Sequence, residues 1–203
     1  MSAPRLLVAT RNEGKLRELQ ALLEGTRLHL ETLASHPAAG EVDETGATFE
    51  ANARLKASHA ARASGLWTMA EDSGLEVDAL GGAPGVRSAR WSGVHGDDAA
   101  NLAKLLRDMD GKTDRSARFV CAMALARPDG QVVAMAHGIC VGALAVAPRG
   151  RGGFGYDPIF VAAQIPDQTL AELDRHDKNL VSHRGAALRA FVPLLRAHLP
   201  EMQ

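Results

Sequence analysis

Two adjacent carboxylates, Glu71 and Asp72, close an apolar run, Leu66-Trp67-Thr68-Met69-Ala70, and are followed by Ser73 and Gly74. The run reads as a buried strand, and the residues after it as a turn. A second short run, Leu75 to Leu80, comes next, then a Gly/Pro-rich turn. Acids at the end of a buried strand are costly unless they are paired, solvated or bound to a cation. A turn at that point leaves backbone N–H groups to meet an anion. Glu71 to Gly85, EDSGLEVDALGGAPG, is therefore a place where a metal and a phosphate can meet. The plainer alternative is a strand-end turn with solvated acids.

Four further stretches carry suitable chemistry. Thr10-Arg11-Asn12-Glu13-Gly14-Lys15 is a polar turn between a strand-like run and a helical pattern, with Asn12 placed to cap the helix. The first N–H groups of such a helix point outward and form an anion site, within reach of Lys15. Lys56 lies one helical turn beyond Asn52, so the two share a face. Gly150 to Pro158, GRGGFGYDP, matches G-x-G-x-x-G by letter but precedes a strand-like Ile159-Phe160-Val161, whereas a dinucleotide fingerprint must open a helix. It reads instead as a glycine-hinged loop presenting Phe154 and Tyr156, aromatics able to stack on a planar base; the alternative makes Phe154 a core anchor. Lys178, His183 and Arg184 bring three donors close together in sequence, suited to an anion or a purine carbonyl.

The elements that must position these residues alternate in type. Arg5 to Ala9 predicts a first strand. Leu16, Leu19, Leu22 and Leu23 predict a helix, and Leu28 to Leu33 a second strand. An acidic loop with Glu41, Asp43 and Glu44 leads to an Ala-rich helix from Thr48 to Ser64, stopped by Gly65. Leu102, Leu105, Leu106 and Met109 mark a helix over 97–109, ended by Gly111. Residues 117–126 and 131–147 are strand-like and joined by Arg127-Pro128-Asp129-Gly130, which predicts a hairpin. Thr169-Leu170-Ala171-Glu172 has the form of a capping box opening a short helix. Leu188, Phe191, Leu194 and Leu195 line a last helix that Pro193 should kink or restrict.

Composition sets the outer bounds. The 203 residues suffice for one domain with a sizeable core, or one domain of two lobes, and 46% hydrophobic residues argue against disorder. A net charge of -1 gives no footprint for nucleic acid or an anionic membrane surface. No apolar run approaches a transmembrane span, and the N-terminal stretch lacks a signal-peptide core. Cys121 and Cys140 sit in apolar segments without metal-site spacing and read as reduced core thiols.

Together these stretches resemble the inosine triphosphate pyrophosphatase family, which hydrolyses non-standard purine nucleoside triphosphates. The likeness rests on ATRNEGK, ETG followed by ENARLKA, EDSGLEVDALGGAPGVRSARWSG, GGFGYDPIF and KNLVSHRGAAL, in that order over nearly the whole chain. Two departures are visible: Arg11 where the family usually has a small residue, and Glu71 where many members have a second Asp.

The resemblance implies a mixed α/β fold, with a long central sheet, helices and two lobes around a cleft, covering residues 1–203 as one domain. It also implies a homodimer, Mg²⁺ as cofactor, and release of pyrophosphate from the triphosphate; without an export signal, a cytoplasmic location is expected. On this basis Thr10 to Lys15 and Lys56 meet the phosphates, Ser73 helps position one of them, and Glu44 and Asp72 hold the metal. Asp72 is also the expected base. Phe154, in the loop with Gly155 and Tyr156, stacks on the base; Lys178, His183 and Arg184 donate to it, and Asp157 accepts from its ring N–H. Two rivals remain at this level: a hydrolase of standard or otherwise modified triphosphates, and a non-catalytic nucleotide sensor.

Overall fold

Arg5–Val8 forms strand β1, with Leu6, Leu7 and Val8 buried. A computed structural model describes residues 3–40 and 42–199; Glu41, of the acidic loop, lies outside the described residues. Helix α1, Glu13–Leu22, begins where Asn12 caps it, its side-chain oxygen accepting from the N–H of Lys15 at 2.9 Å. Strand β2, His29–Thr32, returns parallel to β1. Helix α2, Phe49–Ser64, is capped by Thr48 and closed by Gly65, whose φ of 68° is the left-handed conformation that favours glycine. Its buried face is built largely from Ala53, Ala57, Ala60 and Ala61, small residues that let the helix pack closely.

Strand β3 departs from the sequence expectation. It runs without a turn over Trp67–Val77, so Glu71, Asp72, Ser73 and Gly74 lie inside it. The acids need no turn to escape burial because side chains from other segments meet them, as described below. Helix α3, Asp98–Asp108, follows, then β4, Ser116–Ala126, and β5, Val132–Leu144. β4 and β5 are joined by the predicted turn, closed by Arg127 N–H donating to Gln131 O. β6, Phe160–Ala162, pairs antiparallel with β5. The sheet order is β2-β1-β3-β4-β5-β6, with β1 parallel to both neighbours.

The capping-box motif does not open a helix. Glu172 does reach back to the Thr169 N–H at 2.8 Å, but it closes a turn. The neighbouring backbone is already committed: Leu170 N–H donates to Phe160 O, and Ala171 O accepts from Gly152 N–H. The helix starts later, as α4, Arg175–Val181, with Asp174 as its cap. Ser182 is extended and separates α4 from α5, His183–His198, which continues beyond Pro193.

The chain divides into two compact units. One comprises Met1–Asp72, Cys121–Gly138 and Ala187–Gln203; the other comprises Ser73–Val120 and Ile139–Ala186. Each has its own core. Leu6, Val8, Leu19, Met69, Met123, Phe191 and Leu195 belong to the first, and Leu75, Leu105, Phe119, Ile159, Phe160 and Leu170 to the second. Cys121 and Cys140 are buried thiols, one in each core. Burial pushes the Cys140 thiol up to about 11, with the nearby Asp157 charge adding to it.

Candidate active site

In the first unit, Asp72 on β3 is 5% exposed. A buried carboxylate persists only where charge and hydrogen bonds compensate its lost hydration, and α2 supplies both. Lys56 Nζ donates to Asp72 Oδ1 at 3.1 Å and to Glu44 Oε1 at 2.8 Å. Four residues earlier on the helix, Asn52 Nδ2 donates to Asp72 Oδ2 at 3.0 Å, while Asn52 Oδ1 accepts from Gly46 N–H at 2.8 Å. Burial pushes the Lys56 ammonium down, but the charges of Asp72 and Glu44 outweigh it, so its pKa is raised and it stays protonated at neutral pH. Glu44, Lys56 and Asp72 are thus drawn together from three segments.

Beside them, Lys15 Nζ lies 3.2 Å from Glu71 Oε1, and Cys121 Sγ donates to Glu71 Oε2 at 3.0 Å. Thr10 Oγ1 accepts from Asn12 N–H, which shapes the turn into α1. Arg11 is exposed, Gly14 lies in the first helical turn, and Glu13 pairs with Arg17 on the surface at 3.3 Å. The phosphate loop named from the sequence is therefore a capped helix start that carries one buried-facing cation, Lys15.

In the second unit, the glycine-rich segment divides its aromatics. Tyr156 is not presented to a ligand. It is 4% exposed, its hydroxyl donates to Ser88 O at 2.9 Å, and burial raises its pKa further above the ordinary value. Phe154 is half-buried, with Lys178 Nζ 4.9 Å and Arg184 Cζ 5.5 Å from its ring centroid. Asp157 Oδ2 accepts from Phe154 N–H at 2.8 Å and from Lys178 Nζ at 2.6 Å. Arg184, 1% exposed, donates to Ser73 Oγ at 3.0 Å. The ring of His183 stacks on Phe119, with centroids 4.6 Å apart. Gly155 N–H donates to Asp98 Oδ2 at 2.8 Å, tying the segment to the start of α3.

Sequence reasoning named Asn52 only as a neighbour of Lys56 and gave Gly46, Glu71 and Asp98 no partner. The shared face of Asn52 and Lys56 was the available signal for the first. For Gly46 the available signal was the glycine of ETG, and nothing local pointed to Asp98.

A mixed α/β fold with buried carboxylates held by lysines from separate helices defines a protein built around concentrated charge. The profile described as the Ham1 family matches residues 6–194. A dITP/XTP pyrophosphatase from Exiguobacterium sp. is 50% identical over 185 residues, covering 91% of this chain and 93% of that protein. One from Streptomyces coelicolor is 50% identical, covering 95% and 97%. A HAM1 protein structure from Coxiella burnetii superposes with a TM-score of 0.86 at 39% identity, covering 96% of this chain and 99% of that one. The chain belongs to the Ham1 family.

Proposed function

We propose that the protein hydrolyses non-canonical purine nucleoside triphosphates, dITP, XTP and ITP, to the monophosphate and pyrophosphate. The observation that carries this reading is the group formed by Lys56 with Asp72 and Glu44, a half-buried cation shared by two carboxylates. The relatives named above are dITP/XTP pyrophosphatases.

The donor set fits Mg²⁺. Glu44 and Asp72 are hard oxygen ligands close enough to share one ammonium, which suits a cation that takes one or two carboxylates and keeps several waters. When bound, the metal neutralises charge on the phosphate oxygens. Lys15 and Lys56 add positive charge for the triphosphate. Asp72 accepts the proton of the water that attacks the α-phosphorus, as pyrophosphate departs. A sensor would have no need of this buried acid, which favours the catalytic reading.

Phe154 stacks on the purine. Hypoxanthine and xanthine carry an acceptor oxygen where adenine carries an amino donor, so donors from Arg184 and Lys178 favour the keto bases. A site built for such pairing discriminates by roughly 10⁴-fold. The same reading extends to a homodimer, which the likeness of its motifs implies, and to a cytoplasmic location.

The test is pyrophosphate release across a panel of dITP, XTP, ITP, dATP and dGTP, with Mg²⁺ and with the metal chelated. Turnover of dITP and XTP that depends on Mg²⁺ is expected. Equal rates on dATP would overturn the base assignment, and activity unaffected by chelation would remove the metal.

A further inference from the structure

Asn52 is completely buried in the first half of α2, although asparagine is a poor helix former. Its amide cannot be turned over. Gly46 N–H is a donor, so the amide oxygen must face Gly46 and the NH₂ must face Asp72. The two oxygens of Asp72 therefore have separate holders, Lys56 on Oδ1 and Asn52 on Oδ2. A single donor would anchor one oxygen and leave the carboxylate able to swing about it. Donors on both oxygens fix its plane.

The contact with Gly46 is equally constrained. A Cβ at Gly46 would lie 2.6 Å from Asn52 Oδ1 and 2.8 Å from the Ala51 Cβ, so this close approach requires glycine. A closed ring results. It runs from Glu44 along the chain to Gly46, across to Asn52, on to Asp72, and back through Lys56 to Glu44.

The geometry points to Asn52, seated by Gly46, as the positioning residue that orients the Asp72 carboxylate. The inference deepens the proposed function, since on that reading Asp72 takes the proton from the attacking water. Asn52 supplies direction without a second full positive charge. It acts through the Asp72 carboxylate, to which it donates.

Asn52→Asp and Asn52→Ala test the assignment. The aspartate keeps the shape and the acceptor for Gly46 but replaces the amide donor to Asp72 with a second carboxyl group; the alanine removes both contacts. At pH 8 with saturating Mg²⁺, kcat for dITP is expected to fall about 10–100-fold in both variants, with KM changed less than about threefold. Amide exchange at Gly46 should remain slow in Asn52→Asp and become fast in Asn52→Ala, which separates the two contacts. A kcat for Asn52→Asp equal to that of the unaltered protein would overturn the inference, as would a loss seen only in KM. If the unaltered protein releases no pyrophosphate from any triphosphate in the panel, the proposed function falls. The positioning role is then decided by the crystal structure of Asn52→Ala: a rotated Asp72 carboxylate supports it, and an unmoved one overturns it.

Discussion

The ammonium of Lys56 lies 3.1 Å from Asp72 Oδ1, and its charge is what makes the burial of Asp72 beside Glu44 tolerable. Removing one partner of a buried ion pair costs about 3–5 kcal/mol, because the other charge is left behind. Lys56→Met is expected to lower stability by about 3 kcal/mol at neutral pH and to abolish measurable dITP turnover. The folded pKa of Lys56 is raised above its ordinary 10.5. Its stabilising effect is therefore fully present below that value and is lost only as pH rises through the higher folded value. Denaturant melts of Lys56→Met and the unaltered protein should differ by a constant amount from pH 6 to 9 and converge in stronger alkali.

Gly153 presents a second sharp constraint. Its φ is +71°, and a Cβ there would lie 2.1 Å from Asp157 Oδ2, the oxygen that receives both Phe154 N–H and Lys178 Nζ. Gly153→Ala adds left-handed strain of roughly 1–2 kcal/mol and displaces Asp157. Its KM for dITP is expected to rise about tenfold, in line with the value of one base–aromatic stack. A steady-state comparison with Gly153→Ala reads this directly, and an unchanged KM would detach the Asp157 contacts from substrate binding.

On the edge strand β2, Glu31 accepts from both Arg5 and His36, and hydrogen bonds from these two hold its carboxyl down at about 2, against an ordinary 4.5. A lowered carboxyl pKa stabilises the fold above the unfolded value and loses that effect as pH falls through the folded one. Glu31→Gln should therefore be less stable at pH 7, by at most about 1 kcal/mol for a pair with so exposed an arginine. The difference should shrink below pH 4.5 and vanish near pH 2. Urea midpoints across this range provide the measurement.

Cys140 has its thiol pushed up to about 11 by burial, and Cys121 is 0% exposed. The thiolate is the reactive form. Neither cysteine should be alkylated by iodoacetamide in the native protein at pH 8, and both should react once denaturant is added. Mass spectrometry of the labelled chain gives the count.

Helices α1, α2 and α3 were legible because their signals are local. Asn12, Thr48 and Asp97 each cap the helix that follows, accepting from an N–H three residues on. The unbroken strand through Glu71 to Gly74 was not legible. Ser73 and Gly74 are turn residues by type, and what overrides them is pairing with Lys15, Lys56, Asn52 and Arg184 from elsewhere in the chain. Thr169 and Glu172 make the hydrogen bond of a capping box, yet tertiary demands on the intervening backbone prevent a helix. Phe154 and Tyr156, two residues apart in one glycine-rich loop, have opposite fates because only the tyrosine hydroxyl finds a buried acceptor, Ser88 O.

Glu71 and Asp72 are neighbours in the chain, but their cations come from different helices, Lys15 of α1 and Lys56 of α2. A lysine stem has four carbons and several rotatable bonds. The extra methylene that Glu71 has over an aspartate is met by the slack of Lys15 and by the Cys121 thiol, while the tighter lattice around Asp72 keeps its dimensions. Two side chains that look like one acidic motif are thus free to drift in length independently of each other.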